Sequence, residues 1–335
     1  MKEAFLYCNP NSLNDATNHY IDIVLKALGK VGFNVSIVHR LKDITNADLI
    51  FTVSSVYFFY AKIRFPFVKT ICWKQGVNPE ESNMYGRGKI RYYWHSLNEW
   101  FALKTSDMML LVSKKMLQHY QKKYCYNRDN YIIMPCYNLS LSNVFETKRY
   151  EYPTFVYAGN ASIWQNAELM LDVYKKIEQL LPQSTFTILT NDNEKFLDLI
   201  TERGIKNVTL KYVPMDKLSE ELRKYKYGFL LREDNIVNNV ATPTKMNSYL
   251  SNYLIPIFTD SVDDFRLNIH LGEFTLMAEC PLSIESITNK VISFENTNHN
   301  YLDYRKYVQE VFDKHYNDDY YMKHIKEKLI ELHML

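Results

Sequence analysis

The sequence lacks the marks of secreted, membrane-spanning and zinc-binding proteins. Its five cysteines are odd in number and scattered without Cys-x-x-Cys spacing, which argues against a disulfide framework and against a zinc site. No uninterrupted apolar run approaches the roughly 20 residues that a membrane-spanning helix needs. The N-terminus, Met-Lys-Glu-Ala-Phe-Leu-Tyr, leads directly into a predicted strand and does not resemble a signal peptide. We therefore expect a cytoplasmic protein.

Motifs of nucleotide and metal chemistry are also missing. The chain has no Gly-x-Gly-x-x-Gly and no Gly-x-x-x-x-Gly-Lys-Ser/Thr fingerprint, which disfavours a dinucleotide-dependent oxidoreductase and a P-loop NTPase. It has no Asp-x-Asp pair that would hold a divalent cation. We predict no metal site and no cofactor.

Charge is distributed unevenly along the chain. The net charge is +2 over 335 residues, but residues 1–150 carry 20 Lys/Arg against 11 Asp/Glu, a balance of +9, and the remainder has a balance of −7. A basic half favours anionic partners such as phosphates, nucleic acid or an anionic membrane leaflet. Chance clustering of charge is the alternative.

Strand-like and helix-like segments alternate along the chain, as in parallel α/β proteins. The alternation occurs twice, with a polar stretch at 138–148 between the two series. We predict two doubly wound, Rossmann-like domains over 1–148 and 149–300, followed by two amphipathic helices within 301–335.

The stretch 228–259 carries the most specific signal. It predicts a buried strand at Gly228–Leu231, a polar loop beginning at Arg232, a helix opened by Thr242-Pro243-Thr244-Lys245, and a second short strand. A capping threonine, a proline at the first helical position and a lysine in the first turn offer a helix dipole and a positive charge to a phosphate. An ordinary capped helix is the alternative interpretation.

Doubly wound sheets bind their ligands beyond the carboxyl ends of the strands. Five predicted loops occupy that position and are expected to face one cleft. These loops are 9–17, 73–81, 159–166, 213–214 and 232–245.

Three segments resemble the bacterial GT-B glycosyltransferases of the family-4-like group (glycosyl transferases group 1), which use nucleotide-activated sugars. They are Trp73–Glu81, Val156–Gln165 and Leu230–Leu250, and the likeness spans nearly the whole chain in order. The resemblance implies an acceptor-binding domain over 1–148 and a donor-binding domain over 149–300 that face a cleft. It also implies that helices within 301–335 cross back to the first domain.

The resemblance implies an enzyme that moves a sugar from a nucleoside diphosphate donor, UDP or GDP, to a saccharide acceptor in surface polysaccharide or glycan biosynthesis. The group retains anomeric configuration, with the diphosphate helping to take the acceptor proton. Trp164 would stack on the base or pack within its helix. The predicted donor-binding residues are Gly159, Asn160, Trp164, Val213, Arg232, Asn238, Thr242, Pro243, Thr244 and Lys245.

Acceptor and catalytic residues are expected in the first domain. Glu80 or Glu81 would act as a general base or lie in a loop salt bridge. His19 would orient a donor phosphate or an acceptor hydroxyl, or serve in capping and packing. The predicted acceptor-binding residues are Asn11, Gln75, Gly76 and Arg87.

The sequence departs from the family at the helix that holds the donor. Many members carry two glutamates separated by seven residues there, and the aligned positions hold Val240 and Ser248. No Arg and Lys pair follows Gly159, so Arg232, Lys245 and the helix dipole are expected to meet the phosphate charge. Retention against inversion is left open. Two alternatives also remain: a non-hydrolysing nucleotide-sugar epimerase and a sugar-nucleotide-binding protein without catalysis.

Two clusters in the first half mix cations with aromatics, as surfaces that meet lipid headgroups do. They are Arg64–Phe67 and Arg87–Trp94. They favour a lipid-diphosphate-linked saccharide as acceptor and a peripheral position on the inner face of the cell membrane. Packing of these aromatics on the sheet is the alternative. No nucleic-acid partner is expected.

Overall fold

The computed structural model describes residues 2–14 and 17–335 and divides the chain into two compact units. The first unit runs to Asn138 and adds Asn239–Thr242 and Asn317–Leu335. The second unit comprises Leu139–Asn238 and Pro243–Tyr316. The chain thus leaves the first unit ahead of the predicted boundary at 148, and the segment 301–335 contributes to both units.

A six-stranded parallel sheet forms the centre of the first unit. Its strands are β1 (Lys2–Tyr7), β2 (Phe33–Val38), β3 (Leu49–Thr52), β4 (Lys69–Lys74), β5 (Met108–Leu111) and β6 (Tyr131–Ile133). The spatial order is β2-β1-β3-β4-β5-β6, so the order reverses between β1 and β3. The helices along this part of the chain are α1 (Asn18–Lys30), α2 (Ser55–Arg64), α3 (Asn78–Met84), α4 (Lys89–Thr105) and α5 (Lys114–Tyr124).

The second unit repeats this plan with its own six-stranded sheet. Its strands are β7 (Thr154–Ala158), β8 (Thr185–Leu189), β9 (Val208–Lys211), β10 (Tyr227–Leu230), β11 (Ile255–Thr259) and β12 (Leu276–Ala278). The order β12-β11-β10-β7-β8-β9 places the topological switch point between β7 and β10. The helices along this part of the chain are α6 (Ala167–Leu180), α7 (Asn193–Arg203), α8 (Met215–Leu222), α9 (Ile236–Val240), α10 (Thr244–Ser251), α11 (Asp263–Asn268), α12 (Ile284–Glu295) and α13 (Tyr301–Lys314).

Local sequence explains most of these elements. β5 reads Met-Met-Leu-Leu and β11 reads Ile-Pro-Ile-Phe-Thr, and every residue of both is buried, as expected for parallel strands covered on two faces. Ser113 caps α5 by accepting a hydrogen bond from the N–H of Met116, and Cys125 ends the helix in the left-handed conformation. The predicted α/β class with two doubly wound sheets is confirmed.

The sequence did not predict α2, α3, α9, α11, α12 or β12. α2 reads Ser-Val-Tyr-Phe-Phe-Tyr-Ala-Lys-Ile-Arg, a run whose aromatic and β-branched residues favour strands when considered alone. Tertiary packing made it helical: Ser54 caps its first turn, and Phe58 and Ala61 are buried. Of the other missed elements, α3, α9, α11 and β12 have only three to seven residues, whereas α12 has twelve.

The last two helices belong to different units. α13 buries Tyr304 and Val308 in the second unit, and the hydroxyl of Tyr304 donates to the carbonyl of Leu254. The following helix, α14 (Asp318–Glu331), belongs to the first unit and packs against α1. Across residues 2–14 and 17–335, none of the helices combines the length and the apolar character needed to cross a bilayer.

Candidate functional site

The switch point of the second sheet gathers three of the predicted residues. Gly159 directly follows β7, Arg232 lies two positions beyond the end of β10, and Lys245 lies in the first turn of α10. The carboxyl ends of adjacent parallel strands lie at one edge of the sheet, and ligands of doubly wound folds bind at such a switch point. The contacts among these residues therefore define the candidate site.

Lys245 reaches across the turn at Gly159. Its ammonium donates hydrogen bonds to Oε1 of Gln165 at 2.6 Å and to the hydroxyl of Tyr157 at 3.2 Å, and it lies 4.5 Å from the centre of the Tyr157 ring. Burial lowers the pKa of Lys245 well below its usual value, and the charge of Arg232 lowers it further. The ammonium is thus held in place without an anion.

Glycine is required beside this ammonium. A Cβ at position 159 would lie 2.6 Å from Nζ of Lys245 and 3.1 Å from the hydroxyl of Tyr157, and the φ of +152° is one that other residues rarely adopt. The N–H of Gly159 donates to the carbonyl of Leu189 at 2.9 Å, which fixes the turn to β8. The absence of a side chain therefore allows Lys245 to approach the backbone.

Arg232 is only 5% exposed and is held from several directions. Its Nη1 donates to the carbonyl of Trp164 at 2.8 Å and to Oδ1 of Asn238 at 3.2 Å. The side-chain amide of Asn238 donates in turn to the carbonyl of Glu233 at 3.0 Å. Burial lowers the pKa of Arg232 to about 10, so the guanidinium remains charged at neutral pH. Asn238, predicted as a donor-binding residue, positions this guanidinium.

The turn after Gly159 is fixed by Asn160, a predicted donor-binding residue, and by residues that the sequence did not single out. Asn160 accepts hydrogen bonds on its side-chain oxygen from the N–H and the hydroxyl of Ser162, at 3.2 and 2.7 Å. Asp192 accepts from the N–H of Ala161 at 2.9 Å, and Lys195 donates to the carbonyl of Ala161 at 2.8 Å. The turn is therefore ordered by its own polar side chains and by the segment after β8.

Arg232, which is buried, and Lys245, which is half-buried, differ from two buried lysines of the described chain. Lys226 and Lys74 are each paired with a glutamate, at 2.6 and 3.1 Å. Arg232 and Lys245 form no ion pair with any carboxylate of residues 2–14 and 17–335. Removing a charge from water costs free energy unless a partner compensates it. The switch point is therefore suited to an anionic ligand with more than one negative charge.

Solved structures of other proteins are similar to this chain, and three examples follow. Sucrose-phosphate synthase from Thermosynechococcus elongatus has a TM-score of 0.72 at 11% identity, with 99% of each chain covered. WaaG, a glycosyltransferase involved in lipopolysaccharide biosynthesis, has a TM-score of 0.64 at 12% identity, with 98% of this chain and 99% of WaaG covered. S. aureus TarM, in a complex that includes UDP, has a TM-score of 0.62 at 12% identity and matches 92% of this chain.

The chain has the GT-B fold. It spans only 58% of the TarM chain. No family model matches the sequence, and no curated protein does. Identities of 11–12% establish the fold alone, so the activity must be argued from the site.

The predicted cap of α10 is wrong in this GT-B chain. The helix begins at Thr244, and Pro243 occupies the N-cap position without a side-chain hydrogen bond. Thr242 belongs to the first unit, where its hydroxyl accepts a hydrogen bond from the N–H of Cys136 at 2.9 Å. A tertiary contact has taken the hydroxyl that local sequence assigned to the helix. Lys245 remains in the first helical turn, as predicted.

Two other predicted donor-binding residues, Val213 and Trp164, have a less direct relation to the switch point. Val213 follows β9, the outermost strand of the sheet, two strands and about 10 Å away from β7. Trp164 lies in a short 3-10 turn before α6 and contributes its carbonyl to Arg232. Base recognition by either residue stays a prediction.

In the first unit, the predicted catalytic glutamates adjoin a buried charge network. Lys74 ends β4, is 2% exposed, and lies 3.1 Å from Oε1 of Glu99. Its ammonium also donates to Ser55 at 2.6 Å and to Asn78 at 2.9 Å. The hydroxyl of Tyr124 donates to the other oxygen of Glu99 at 3.0 Å. No local sequence pattern signals this network, since its members come from five different elements.

Glu80 and Glu81 have different environments. Lys123 donates to Oε1 of Glu80 at 2.6 Å, and His119 lies 3.2 Å from the same oxygen. Burial would raise the pKa of Glu80, but these two neighbours outweigh it and lower the pKa. Burial raises the pKa of Glu81, although Lys74 opposes the shift. Glu81 is therefore the better of the two as a proton acceptor near neutral pH, and its catalytic role stays a prediction.

The loop after β4, which is predicted to bind the acceptor, contains an unsatisfied hydrogen-bond donor. Gln75 has a buried side-chain nitrogen with no hydrogen-bond acceptor among the described residues. Gly76 lies against Glu81, because a Cβ there would overlap Oε1 of that glutamate. A hydroxyl-bearing ligand would satisfy the amide of Gln75.

His19, Asn11 and Arg87 are not gathered with these groups by any hydrogen bond in the described chain. Nε2 of His19 lies 3.2 Å from Oδ1 of Asp318, at the contact between α1 and α14. Asn11 lies in an exposed turn, and residues 15 and 16 of the predicted loop 9–17 lie outside the described residues. Arg87 is exposed over the ring of Tyr85. Their predicted roles stay predictions.

No cluster of three or more His, Cys, Asp or Glu side chains in residues 2–14 and 17–335 could hold a metal ion.

Proposed function

We propose that this chain is a glycosyltransferase that moves a sugar from a nucleoside diphosphate donor to a saccharide acceptor. The observation that carries the proposal is the pair of cations Arg232 and Lys245 at the switch point of the second sheet, with no carboxylate partner in the described chain. A diphosphate supplies the negative charge that this pair lacks, and charge-assisted hydrogen bonds to it are strong. The GT-B fold and the UDP in the similar TarM structure support UDP as the first nucleotide to test, followed by GDP.

The chemistry we infer is stabilisation of a leaving group. When the bond from the sugar to the diphosphate breaks, negative charge develops on the departing phosphate. Fixed cations therefore stabilise the transition state more than the ground state. Arg232 is already fixed by Trp164 and Asn238, so little reorganisation is needed during the reaction. Val240 and Ser248 offer no carboxylate in the donor helix region. We therefore infer retention of configuration, with the departing diphosphate accepting the proton of the acceptor.

The acceptor we propose is a saccharide, free or carried on a lipid diphosphate, in the assembly of a surface polysaccharide or glycan. Support comes from the buried, unsatisfied side-chain nitrogen of Gln75, because a sugar hydroxyl would accept a hydrogen bond from it. The neighbouring carboxylate of Glu81, whose pKa burial raises, would accept a hydrogen bond from a second hydroxyl.

Calorimetric titration with UDP, GDP and their hexose conjugates tests the donor site. Arg232→Ala and Lys245→Met should each weaken binding by about 1.5–3 kcal/mol, since each removes a charged hydrogen bond. Lys217→Met, which removes an exposed lysine of α8, is the matched control and should bind as the wild type does. Equal affinities for all four proteins would remove the assignment.

A transfer assay with radiolabelled sugar nucleotide then tests the reaction. Label that moves to a mixture of saccharide acceptors supports the transferase. Conversion of the donor to its epimer would support the epimerase alternative. Tight nucleotide binding with neither reaction would support a binding protein without catalysis.

A further inference from the structure

A stripe of apolar side chains on α4 faces solvent. Its members recur at spacings of three, four, seven and ten residues, which places them on one side of the helix. An amphipathic helix normally buries such a stripe, but α4 buries the opposite side, including the polar Asn98 and Glu99. The stripe consists of Ile90, Tyr93, Trp94, Leu97 and Trp100, which are 89, 66, 40, 48 and 44% exposed.

α2 and the turn that follows it extend this surface. Tyr60, Ile63 and Phe67 are 46, 60 and 98% exposed. The ring of Phe59 lies 5.9 Å from that of Tyr60 and 5.7 Å from that of Trp94, so a chain of ring contacts joins the two helices. We call these eight exposed residues of α2, the turn after it and α4 the aromatic patch.

Cations surround the aromatic patch, and exposed acids are missing from it. Arg64 follows Ile63 in the sequence. Lys89 and Arg91 are the neighbours of Ile90, and helix geometry places them on opposite flanks of the α4 stripe. Arg64, Arg87, Lys89 and Arg91 are exposed, and none is paired with a carboxylate in the described part of the chain. Residues 49–98 contain only two acids, Glu80 and Glu81, and both are partly buried. The surface is therefore positive as well as apolar.

This combination determines which occupant fits. A contiguous exposed apolar patch marks an interaction surface. Aromatic and aliphatic side chains flanked by long basic ones match the interface of an anionic bilayer, where the rings enter the headgroup region and the cations remain at the lipid phosphates. A purely protein-binding apolar face would not need unpaired cations on both flanks. We propose that the aromatic patch docks this chain onto an anionic lipid surface.

Sedimentation of the full chain with vesicles tests the proposal. Vesicles of phosphatidylcholine alone are compared with vesicles that also contain phosphatidylglycerol. The wild type should pellet several-fold more with the anionic vesicles, and added salt should reduce that fraction because it screens the cations. The double variant Ile90→Ser and Leu97→Ser should lose most of this binding, as should the triple variant Arg87→Ser, Lys89→Ser and Arg91→Ser.

The matched control replaces two equally exposed apolar residues of the second unit, Leu180→Ser and Leu197→Ser, which are 49 and 56% exposed in the wild type. This variant should pellet like the wild type. Equal pelleting of the wild type with both kinds of vesicle would overturn the proposal, and so would patch variants that bind as the wild type does. Light scattering adds a second readout. A wild-type dimer that becomes a monomer only in the double variant Ile90→Ser and Leu97→Ser would assign the patch to self-association instead. Nucleotide titrations of the same proteins keep this result separate from the proposed function, since the donor residues lie in the other unit.

Discussion

Replacing Lys245 by methionine and by arginine separates the charge of this side chain from its bulk. Methionine keeps an unbranched chain without the charge, and arginine keeps a charge that does not titrate near neutral pH. In the wild type, burial and the charge of Arg232 lower the pKa of Lys245. Since no carboxylate raises it again, we expect the pKa of Lys245 to be lower in the empty site than in the nucleotide-bound site.

Linkage gives the sign of the effect on binding. The negative charges of a diphosphate raise the pKa of Lys245, so nucleotide binding takes up a proton at pH values between the pKa of the empty site and that of the occupied site. Affinity therefore falls as the pH rises through this window, by at most about tenfold per pH unit. Burial lowers the pKa of Arg232 only to about 10 and raises the pKa values of Tyr157 and Tyr249, so these neighbours keep their charge states to about pH 9.

The stability of the empty protein changes in the opposite direction. The folded pKa of Lys245 is depressed, so the unfolded chain holds this proton more tightly than the folded chain does. Lys245 therefore destabilises the fold most at a pH below its folded pKa. That cost disappears as the pH rises from the folded pKa towards the unfolded value of about 10.4. Lys245→Met should accordingly be more stable than the wild type at neutral pH without nucleotide, and the difference should shrink as the pH rises.

Calorimetric titrations with UDP between about pH 7 and about pH 9, in two buffers of different ionisation enthalpy, measure both affinity and proton uptake. Lys245→Met should bind roughly 10- to 150-fold more weakly than the wild type at neutral pH, without a pH slope. Lys245→Arg should retain binding and also lack the slope. A wild-type profile as flat as that of Lys245→Met, with no proton taken up, would refute the phosphate contact of Lys245.

Three further substitutions test the surrounding structure. Asn238→Asp places a carboxylate about 3.2 Å from Nη1 of Arg232, where it neutralises the guanidinium. Nucleotide affinity by calorimetry should fall at least about tenfold, and unchanged affinity would contradict the role of Arg232. Gly159→Ala should displace the Lys245 ammonium and lower the free energy of urea unfolding by about 1–3 kcal/mol. The control Gly29→Ala has no atom within 4 Å of the new methyl, so it should be neutral or stabilise by up to about 1 kcal/mol. Glu99→Gln should lower the free energy of urea unfolding by about 3–5 kcal/mol, because it leaves the charge of the buried Lys74 uncompensated. The nucleotide affinity of the folded protein should stay unchanged. A smaller loss of stability would mean that water reaches this pair.

The sequence by itself determined the fold class and the main cations of the candidate site. Buried parallel strands read as continuous apolar runs and their helices as amphipathic repeats, so the alternation that defines two doubly wound sheets is a local property. Arg232 could be predicted because it follows such a strand, and Lys245 because it follows a proline at a helix start. The exposed cation and aromatic clusters were also visible, although the sequence did not reveal which of their side chains face solvent.

Tertiary structure decided what depends on partners distant along the chain. Thr242 looked like a helix cap, but its hydroxyl accepts from Cys136, 106 residues earlier. The approach of Lys245 to Gly159 depends on how α10 packs beside β7, and no local pattern encodes that distance. The same holds for the pairing of Lys74 with Glu99, because a buried ion pair requires two elements to bring opposite charges out of water together. Propensity and spacing act within a few residues, whereas the charge balance of a site is determined by every element that packs around it.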